Sequence, residues 1–177
     1  MTKIKLQQVT NYLDSRLSKL STVIVLMEKV INSERFKEQV LGFAYNGENT
    51  FFYRKNIWGY YIDHVYKNSE VYEMIITAKE ESGNVQNNVI DLYLELINGS
   101  DGSVIGFGRP EEKEIYTYSK MFDSMSIPEL VNHYVHEWTH KIGFDHAYSR
   151  NQKRNYSVPY AVGNIAETVA DGILNQH

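Results

Sequence analysis

The sequence predicts an α+β fold in one domain that spans residues 1–177. Three observations predict it: helical spacing over about the first 70 residues, a period-2 segment in the middle, and two helices towards the C-terminus. The chain has only 3 Pro and no Pro/Gly-rich linker that would divide it. A chain of this length buries roughly 70% of its unfolded surface, which is enough for a sizeable core.

The N-terminal part is predicted to be helical. Apolar residues recur there at helix spacing, at Leu13, Leu17, Leu20 and Ile24. The segment "SERFKEQVLGF" begins with a suitable N-cap at Ser33. "NIWGYYIDHVYKN" (56–68) is predicted to be a further helix, although Gly59 and the aromatic residues weaken that pattern.

The middle of the chain predicts a small twisted mixed sheet. In "VIDLYLELI" (89–97) apolar residues alternate with polar or aromatic ones, as in a half-buried strand. "NGSDG" then marks a turn. Two further short strands, "SVIGFG" (103–108) and "EIYTYSKMF" (114–122), are predicted on either side of the turn "RPEEK".

Two helices are predicted to complete the fold. Ser126 and Glu129 form a capping-box pattern, and Pro128 is tolerated in a first turn, so a helix is expected to run from Ser126 to Gly143. The segment "GNIAETVADGILNQH" (163–177) predicts a terminal helix.

Composition and charge exclude several classes of protein. The net charge is −4, and the densest basic cluster, "RNQKR" (150–154), is interpreted as a solvated loop rather than a nucleic-acid site. There is no cysteine, so thiolate ligands and a cysteine nucleophile are excluded. No signal peptide is recognised, and the longest apolar run, "TVIVLM", is far too short for a membrane span, which predicts a soluble chain with no membrane partner.

The predicted helix 126–143 has two distinct faces. At about 100° per residue its apolar residues fall within an arc of about 60°. These residues are Val131, Val135, Trp138 and Ile142. His133, His136 and His140 lie roughly 130° to 190° from the centre of that arc by the same arithmetic. One face is therefore predicted to pack in the core, and the other gathers imidazoles.

The stretch "HEWTHKIGFDH" (136–146) has the spacing of a catalytic zinc site. His136 and His140 stand on adjacent turns and can share one ion, while Gly143 can adopt a positive φ that returns His146 as a third ligand. Three protein ligands leave a fourth position for a water, whose proton Glu137 is placed to accept. A chance match at the five fixed positions has odds on the order of a few in 10⁵.

The same stretch resembles the HExxHxxGxxH signature of the metzincin zinc metallopeptidases. The resemblance implies that His136, His140 and His146 bind one Zn²⁺ and that Glu137 is the catalytic acid/base. It also implies a zincin-like fold, with a small mixed sheet, an active-site helix, a turn beneath the metal and a C-terminal helix.

The methionine that metzincins place in a turn beneath the zinc site is missing from this sequence. Every methionine precedes the motif, and "YSVPYAVG" (156–163) occupies the expected place, with Pro159 where serralysin-like members have Met. In astacin-like and serralysin-like members, a tyrosine after this turn contacts the metal or stabilises the oxyanion. Tyr160 is the candidate for that role, with Tyr156 as its competitor and a packing role as the alternative.

Other polar residues near the motif have alternative interpretations. Thermolysin-like zincins take their third ligand from a later helix, and Glu167 and Asp171 have the required spacing, although His146 is favoured. His133 either lines the cleft or faces solvent. Asp145 either orients a ligand ring or is a surface residue at the helix end.

The sequence thus predicts a zinc metallopeptidase, in the first place an endopeptidase, that acts through metal-activated water. An extended peptide or protein substrate is expected to add itself as a strand along "SVIGFG" or "EIYTYSKMF". Two alternatives remain: a non-catalytic zincin-fold module that binds a peptide or partner, and a peptidase of peptidoglycan cross-links.

Overall fold

The structure is a computed structural model of the chain. It describes residues 1–45, 47–48, 50–57, 60–78, 87–99, 104–109, 112–146 and 152–176. The fold is α+β, as predicted from the sequence. The elements are, in chain order, β1 (Lys3–Thr10), α1 (Asp14–Ile31), α2 (Glu34–Leu41), β2 (Thr50–Ile57), β3 (Tyr60–Lys67), α3 (Asn68–Thr77), β4 (Val89–Ile97), β5 (Gly106–Gly108), β6 (Glu114–Tyr118), α4 (Ser119–Ser124), α5 (Ile127–Lys141), α6 (Gln152–Asn155) and α7 (Val158–Leu174).

The main sheet has four strands in the order β1-β4-β6-β5. β1, β4 and β6 run parallel to one another, whereas β5 pairs antiparallel with β6 and forms one edge. β4 confirms the predicted alternation, because its inward residues are almost fully buried: Ile90, Leu92, Leu94 and Leu96. β2 and β3 form a separate two-stranded antiparallel sheet.

The prediction of a purely helical N-terminal part is wrong at two places. β1 is an edge strand whose residues are all at least partly exposed. Its period-2 alternation is limited to Ile4 and Leu6, and a register shift between Leu6 and Gln8 interrupts it. The segment 56–68 is not a helix, because most of it forms the end of β2 and the whole of β3. Its aromatic and β-branched residues favour a strand, and Gly59 lies outside the described residues.

The predicted helices on either side of position 33 are confirmed as α1 and α2. Ser33 caps α2, since its Oγ accepts a hydrogen bond from the backbone N–H of Phe36 at 3.1 Å. In α1 the predicted helical spacing of the apolar residues holds, but the first two of these residues are exposed. Leu13 and Leu17 face solvent, whereas Leu20 and the residues that follow it at helix spacing are buried.

The two strands predicted after position 100 are shorter than expected. Only Gly106–Gly108 of "SVIGFG" forms β5, and Ser103 lies outside the described residues. "EIYTYSKMF" changes from strand to helix after Tyr118, where α4 begins.

α5 and α7 pack against each other, and α5 also contacts α1 and β5. The predicted core stripe of α5 is confirmed: Val131, Val135, Trp138 and Ile142 are all buried. α7 begins at Val158, five residues before the predicted start at 163. Most of the segment 156–163, which occupies the place expected for the methionine turn, is therefore helical: Ser157 is at the N-cap position and Pro159 is accommodated in the first turn of α7. None of the helices in the described ranges is long and apolar enough to cross a membrane.

Candidate metal centre

The helix α5 is fixed at both ends by local interactions. At its start the backbone N–H of Ser126 donates to Glu129 Oε2 at 2.7 Å, and Ser126 Oγ accepts from the N–H of Glu129 at 3.4 Å. At its end Gly143 has a φ of 92°, a conformation that glycine adopts without steric cost. The helix therefore stops where the sequence predicted, and the chain turns back along it.

The turn brings three histidines together. One ring nitrogen from each of His136, His140 and His146 lies within 4.8 Å of the other two. The ring centroids are 5.1–5.3 Å apart. No other group of three potential ligands of this kind occurs among the residues that the structure describes. These three side chains can hold a metal ion.

The histidines of α5 are held in the neutral form that metal binding requires. Burial lowers the pKa of His140 to about 3. The pKa of His136 is also lowered, first by burial and then by the neighbouring imidazoles. Nδ1 of His140 lies 2.7 Å from the carbonyl oxygen of Phe144. Because a carbonyl only accepts hydrogen bonds, Nδ1 carries the hydrogen and Nε2 is left as the ligand atom.

Glu137 lies beside this cluster and is buried, with 7% of its surface exposed. Its Oε2 accepts a hydrogen bond of 2.7 Å from the backbone N–H of Gly108 and lies 4.0 Å from His140 Nε2. Burial raises the pKa of this carboxyl to about 7, although the Gly108 N–H and the Lys141 ammonium oppose the shift. The group is therefore poised to exchange a proton near neutral pH.

Two glycines of β5 allow the strand to lie directly on α5. A Cβ on Gly106 would stand 2.9 Å from His133 Cε1 and 2.0 Å from the carbonyl oxygen of Tyr116. A Cβ on Gly108 would stand 3.2 Å from the carbonyl oxygen of Glu137. The sequence analysis missed this role, although an isolated glycine in a strand is a signal for a close backbone approach.

His133 does not face solvent, so that alternative from the sequence analysis is wrong. It is 4% exposed, and its Nε2 lies 3.0 Å from Thr117 Oγ1 on β6. Its Nδ1 lies 3.7 Å from Glu137 Oε1, one helical turn further along. β5 covers this side of α5, which is why His133 is buried although it does not belong to the apolar stripe.

The burial of His133 predicts a pH-dependent stability. Burial lowers its pKa from 6.5 to about 3. Between these pH values His133 is therefore protonated in the unfolded chain but not in the folded chain. Burial of neutral His133 therefore costs no stability from protonation above pH 6.5, and the free energy of unfolding falls as the pH decreases from 6.5 towards 3. Between pH 7 and 5.5 this costs about 1 kcal/mol of the free energy of unfolding.

Denaturant unfolding of the metal-free wild type and of His133→Gln at both pH values checks this prediction. The wild type is expected to lose about 1 kcal/mol more than the variant over this interval. His133→Leu serves as a second variant without a titratable group. Equal losses in all three proteins would contradict the prediction, whatever their absolute stabilities.

The structure distinguishes the two candidate tyrosines. The ring of Tyr160 packs edge-on against His136 at 4.5 Å between centroids and against His146 at 4.8 Å. Tyr156 is 41% exposed and packs instead on Phe43 and Tyr45. Tyr160 therefore lies at the candidate centre and Tyr156 does not.

The remaining acidic candidates make other contacts. Glu167 Oε2 accepts a hydrogen bond from Asn132 Nδ2 at 2.6 Å, one helical turn before His136, and Glu167 is not part of the histidine cluster. Asp145 Oδ1 accepts from the backbone N–H of His146 at 2.7 Å, so it fixes the backbone that carries this histidine.

One residue near the cluster was misinterpreted from the sequence. Arg154, the last residue of "RNQKR", was expected in a solvated loop, but its side chain contacts Tyr160. No local pattern reveals this contact, because it depends on how α6 and α7 are joined.

The chain matches no protein-family profile and no curated protein. The function is therefore inferred from the geometry of the site.

Proposed function

We propose that the protein is a zinc-dependent metallopeptidase with the zincin-like fold and the active site of the metzincins. One observation carries the proposal: three imidazoles converge within 4.8 Å next to the buried carboxylate of Glu137, whose Oε2 lies 4.0 Å from His140 Nε2. A purely structural site is closed by four protein ligands, whereas a catalytic site has three and a neighbouring acid/base.

The donor set fits zinc. Three neutral imidazoles suit a borderline-soft ion with tetrahedral preference, and the hydrogen bond from His140 Nδ1 to the Phe144 carbonyl supplies the outer contact that orients such ligands. The identity of the ion follows from elemental analysis of the purified protein, and we expect one zinc per chain.

When bound, zinc would lower the pKa of a water molecule to about 7 and would polarise the peptide carbonyl. Glu137 then accepts the proton of the attacking water and delivers it to the leaving amine. The N–H of Gly108 holds Oε2 in one orientation, and the carboxyl is buried beside the histidine cluster. We propose that Tyr160 donates a hydrogen bond to the oxyanion, and the contacts of its ring with two of the three candidate ligands support this role.

The sheet topology favours one of the two predicted substrate strands. β6 is paired on both sides, by β4 and β5, and so has no edge to offer along this length. β5 forms the edge of the described sheet, and it lies against the helix turn that carries Glu137. We propose that an extended peptide adds itself along β5.

The buried carboxylate also favours catalysis over the alternative of a non-catalytic binding module. Burying an ionisable group near neutral pH reduces stability, and such costs persist mainly where a function needs them. A binding module that retains zinc would fold better with a neutral residue at Glu137. The third alternative keeps this chemistry but acts on a peptidoglycan cross-link.

Digestion assays distinguish the three functions. The zinc-loaded protein is incubated with an unfolded protein and, in parallel, with peptidoglycan fragments, and the products are analysed by mass spectrometry. Cleavage of the unfolded protein is expected, with loss of activity on chelation and recovery on adding zinc. Cleavage of the peptidoglycan fragments alone would favour the cross-link peptidase. A zinc-loaded chain that leaves both substrates intact would contradict the peptidase proposal.

A further inference from the structure

Arg154 makes two contacts with Tyr160. Its Nη2 donates a hydrogen bond to Tyr160 Oη, and its guanidinium carbon lies 4.5 Å from the centroid of the tyrosine ring. The same ring contacts His136 and His146. One cation therefore touches both the hydroxyl and the ring of the residue that borders the candidate metal ligands.

The backbone holds this pair in place. The carbonyl oxygen of Arg154 accepts hydrogen bonds from the N–H of Ser157 at 3.1 Å and from Ser157 Oγ at 2.6 Å. Ser157 is fully buried and occupies the N-cap position of α7. The end of α6 is thus fixed to the start of α7, and Tyr160 lies in the first turn of that helix.

The direction of the hydrogen bond determines what Tyr160 can do. A phenol has one hydrogen to donate and an oxygen that accepts. Because a guanidinium only donates, Tyr160 Oη is the acceptor in this contact, and its own hydrogen remains available to donate to another group. A cationic donor also polarises the hydroxyl, and hydrogen bonds in such a chain strengthen one another.

We infer that Arg154 is a positioning residue for Tyr160. It keeps the phenol against the histidine cluster and strengthens its O–H as a donor to the oxyanion of the reaction. The inference rests on the proposed function, and it assigns Arg154 an effect on kcat that is transmitted through the tyrosine. A guanidinium that instead bound a substrate carboxylate directly would act mainly on KM and would not need Tyr160.

A double-mutant cycle tests the inference. Tyr160→Phe is expected to lower kcat by about 10². Arg154→Gln is expected to lower kcat at least about threefold in the wild-type background and to have no further effect in the Tyr160→Phe background. Arg154→Lys, which keeps the charge but loses the planar fork, is expected to fall between wild type and Arg154→Gln. Additive losses, or a loss confined to KM, would overturn the inference.

Lys153→Gln provides the matched control. Lys153 is the adjacent cation, and it lies over the ring of Phe52 at 5.6 Å rather than at Tyr160. The same change in charge one residue away is expected to leave kcat unchanged. A loss equal to that of Arg154→Gln would reduce the effect to general electrostatics and overturn the inference.

A spectroscopic measurement tests the contact without turnover. In protein with ¹³C-labelled tyrosine, the ring resonance of Tyr160 is assigned by its absence in Tyr160→Phe. It is expected to shift in Arg154→Gln and not in Lys153→Gln, and the absence of a shift would overturn the inference even in an active enzyme. If the shift appears but the zinc-loaded chain hydrolyses nothing, the proposed function fails, and the catalytic role of Arg154 fails with it. An active chain with additive losses overturns the inference alone.

Discussion

Glu137→Gln is expected to lower peptide hydrolysis by about 10²–10⁴-fold, the usual contribution of a positioned general acid/base. The amide cannot accept the proton of the attacking water, yet it has nearly the same shape and keeps an oxygen for the Gly108 N–H. Zinc binding is expected to change little, because Glu137 is not one of the three clustered donors. Steady-state kinetics and a zinc titration on the same preparation measure both quantities.

Glu38→Gln is the control for this substitution, since Glu38 lies exposed on α2. It makes the same chemical change away from the site and is expected to retain full activity. If Glu137→Gln retained full activity with zinc bound, another group would have to carry the proton and the proposed role would be wrong.

The same variant has a second expected effect, on the stability of the metal-free protein. The carboxyl pKa is raised from 4.5 to about 7, so ionisation of Glu137 opposes folding fully above pH 7, and this penalty fades as the pH falls towards 4.5. Glu137→Gln removes the penalty. Its stability advantage over wild type is expected to be about 2 kcal/mol larger at pH 8 than at pH 5. Denaturant unfolding at both pH values measures this difference, and an unchanged difference would contradict the raised pKa.

Removing His146 is expected to weaken zinc binding by at least about 10²-fold, because changes in the outer contacts of such ligands alone cost 10–100-fold. His146→Ala leaves only His136 and His140 of the cluster, and two imidazoles on adjacent turns do not complete a zinc site. Peptide hydrolysis is expected to be lost together with the metal. Competition with a chromophoric chelator measures the affinity, and circular dichroism checks that the variant is folded.

Glu167→Gln is the matched control for His146→Ala, because Glu167 is the rival third ligand. Its carboxylate is hydrogen bonded to Asn132 at 2.6 Å and lies outside the histidine cluster. Zinc affinity is therefore expected to stay within a few-fold of wild type. The reverse result would be a loss of zinc affinity in Glu167→Gln and none in His146→Ala. It would identify Glu167 rather than His146 as the third ligand, as in the thermolysin-like zincins.

The parts of the fold that the sequence predicted correctly are those with a strong local pattern. α5 begins at a capping box and ends at a glycine with positive φ, and both features involve residues within a few positions of each other. β4 is buried on one face, so its apolar residues alternate. The strand β1 was missed because it is a largely exposed edge strand whose alternation is short, and a register shift between Leu6 and Gln8 interrupts it.

The grouping of the candidate site was also largely predictable. The positions of His136, Glu137 and His140 follow from the period of one helix, and Gly143 brings back His146 only a few residues later. The contacts that the sequence did not reveal connect distant segments. Gly108 donates to Glu137 across 29 positions, and Thr117 meets His133 across 16.

The sequence by itself determined the histidine cluster and the carboxylate beside it, because all of these residues lie close together in the chain, on one helix and the turn that follows it. Only the tertiary structure decided the environment of that carboxylate. The packing of β5 on α5 buries Glu137, raises its pKa to about 7 and removes His133 from solvent. The connection between α6 and α7 sets Arg154 against Tyr160, only six positions away, through a turn geometry that no helical or strand period predicts. Burial and long-range pairing depend on which segments meet, and no local periodicity encodes that.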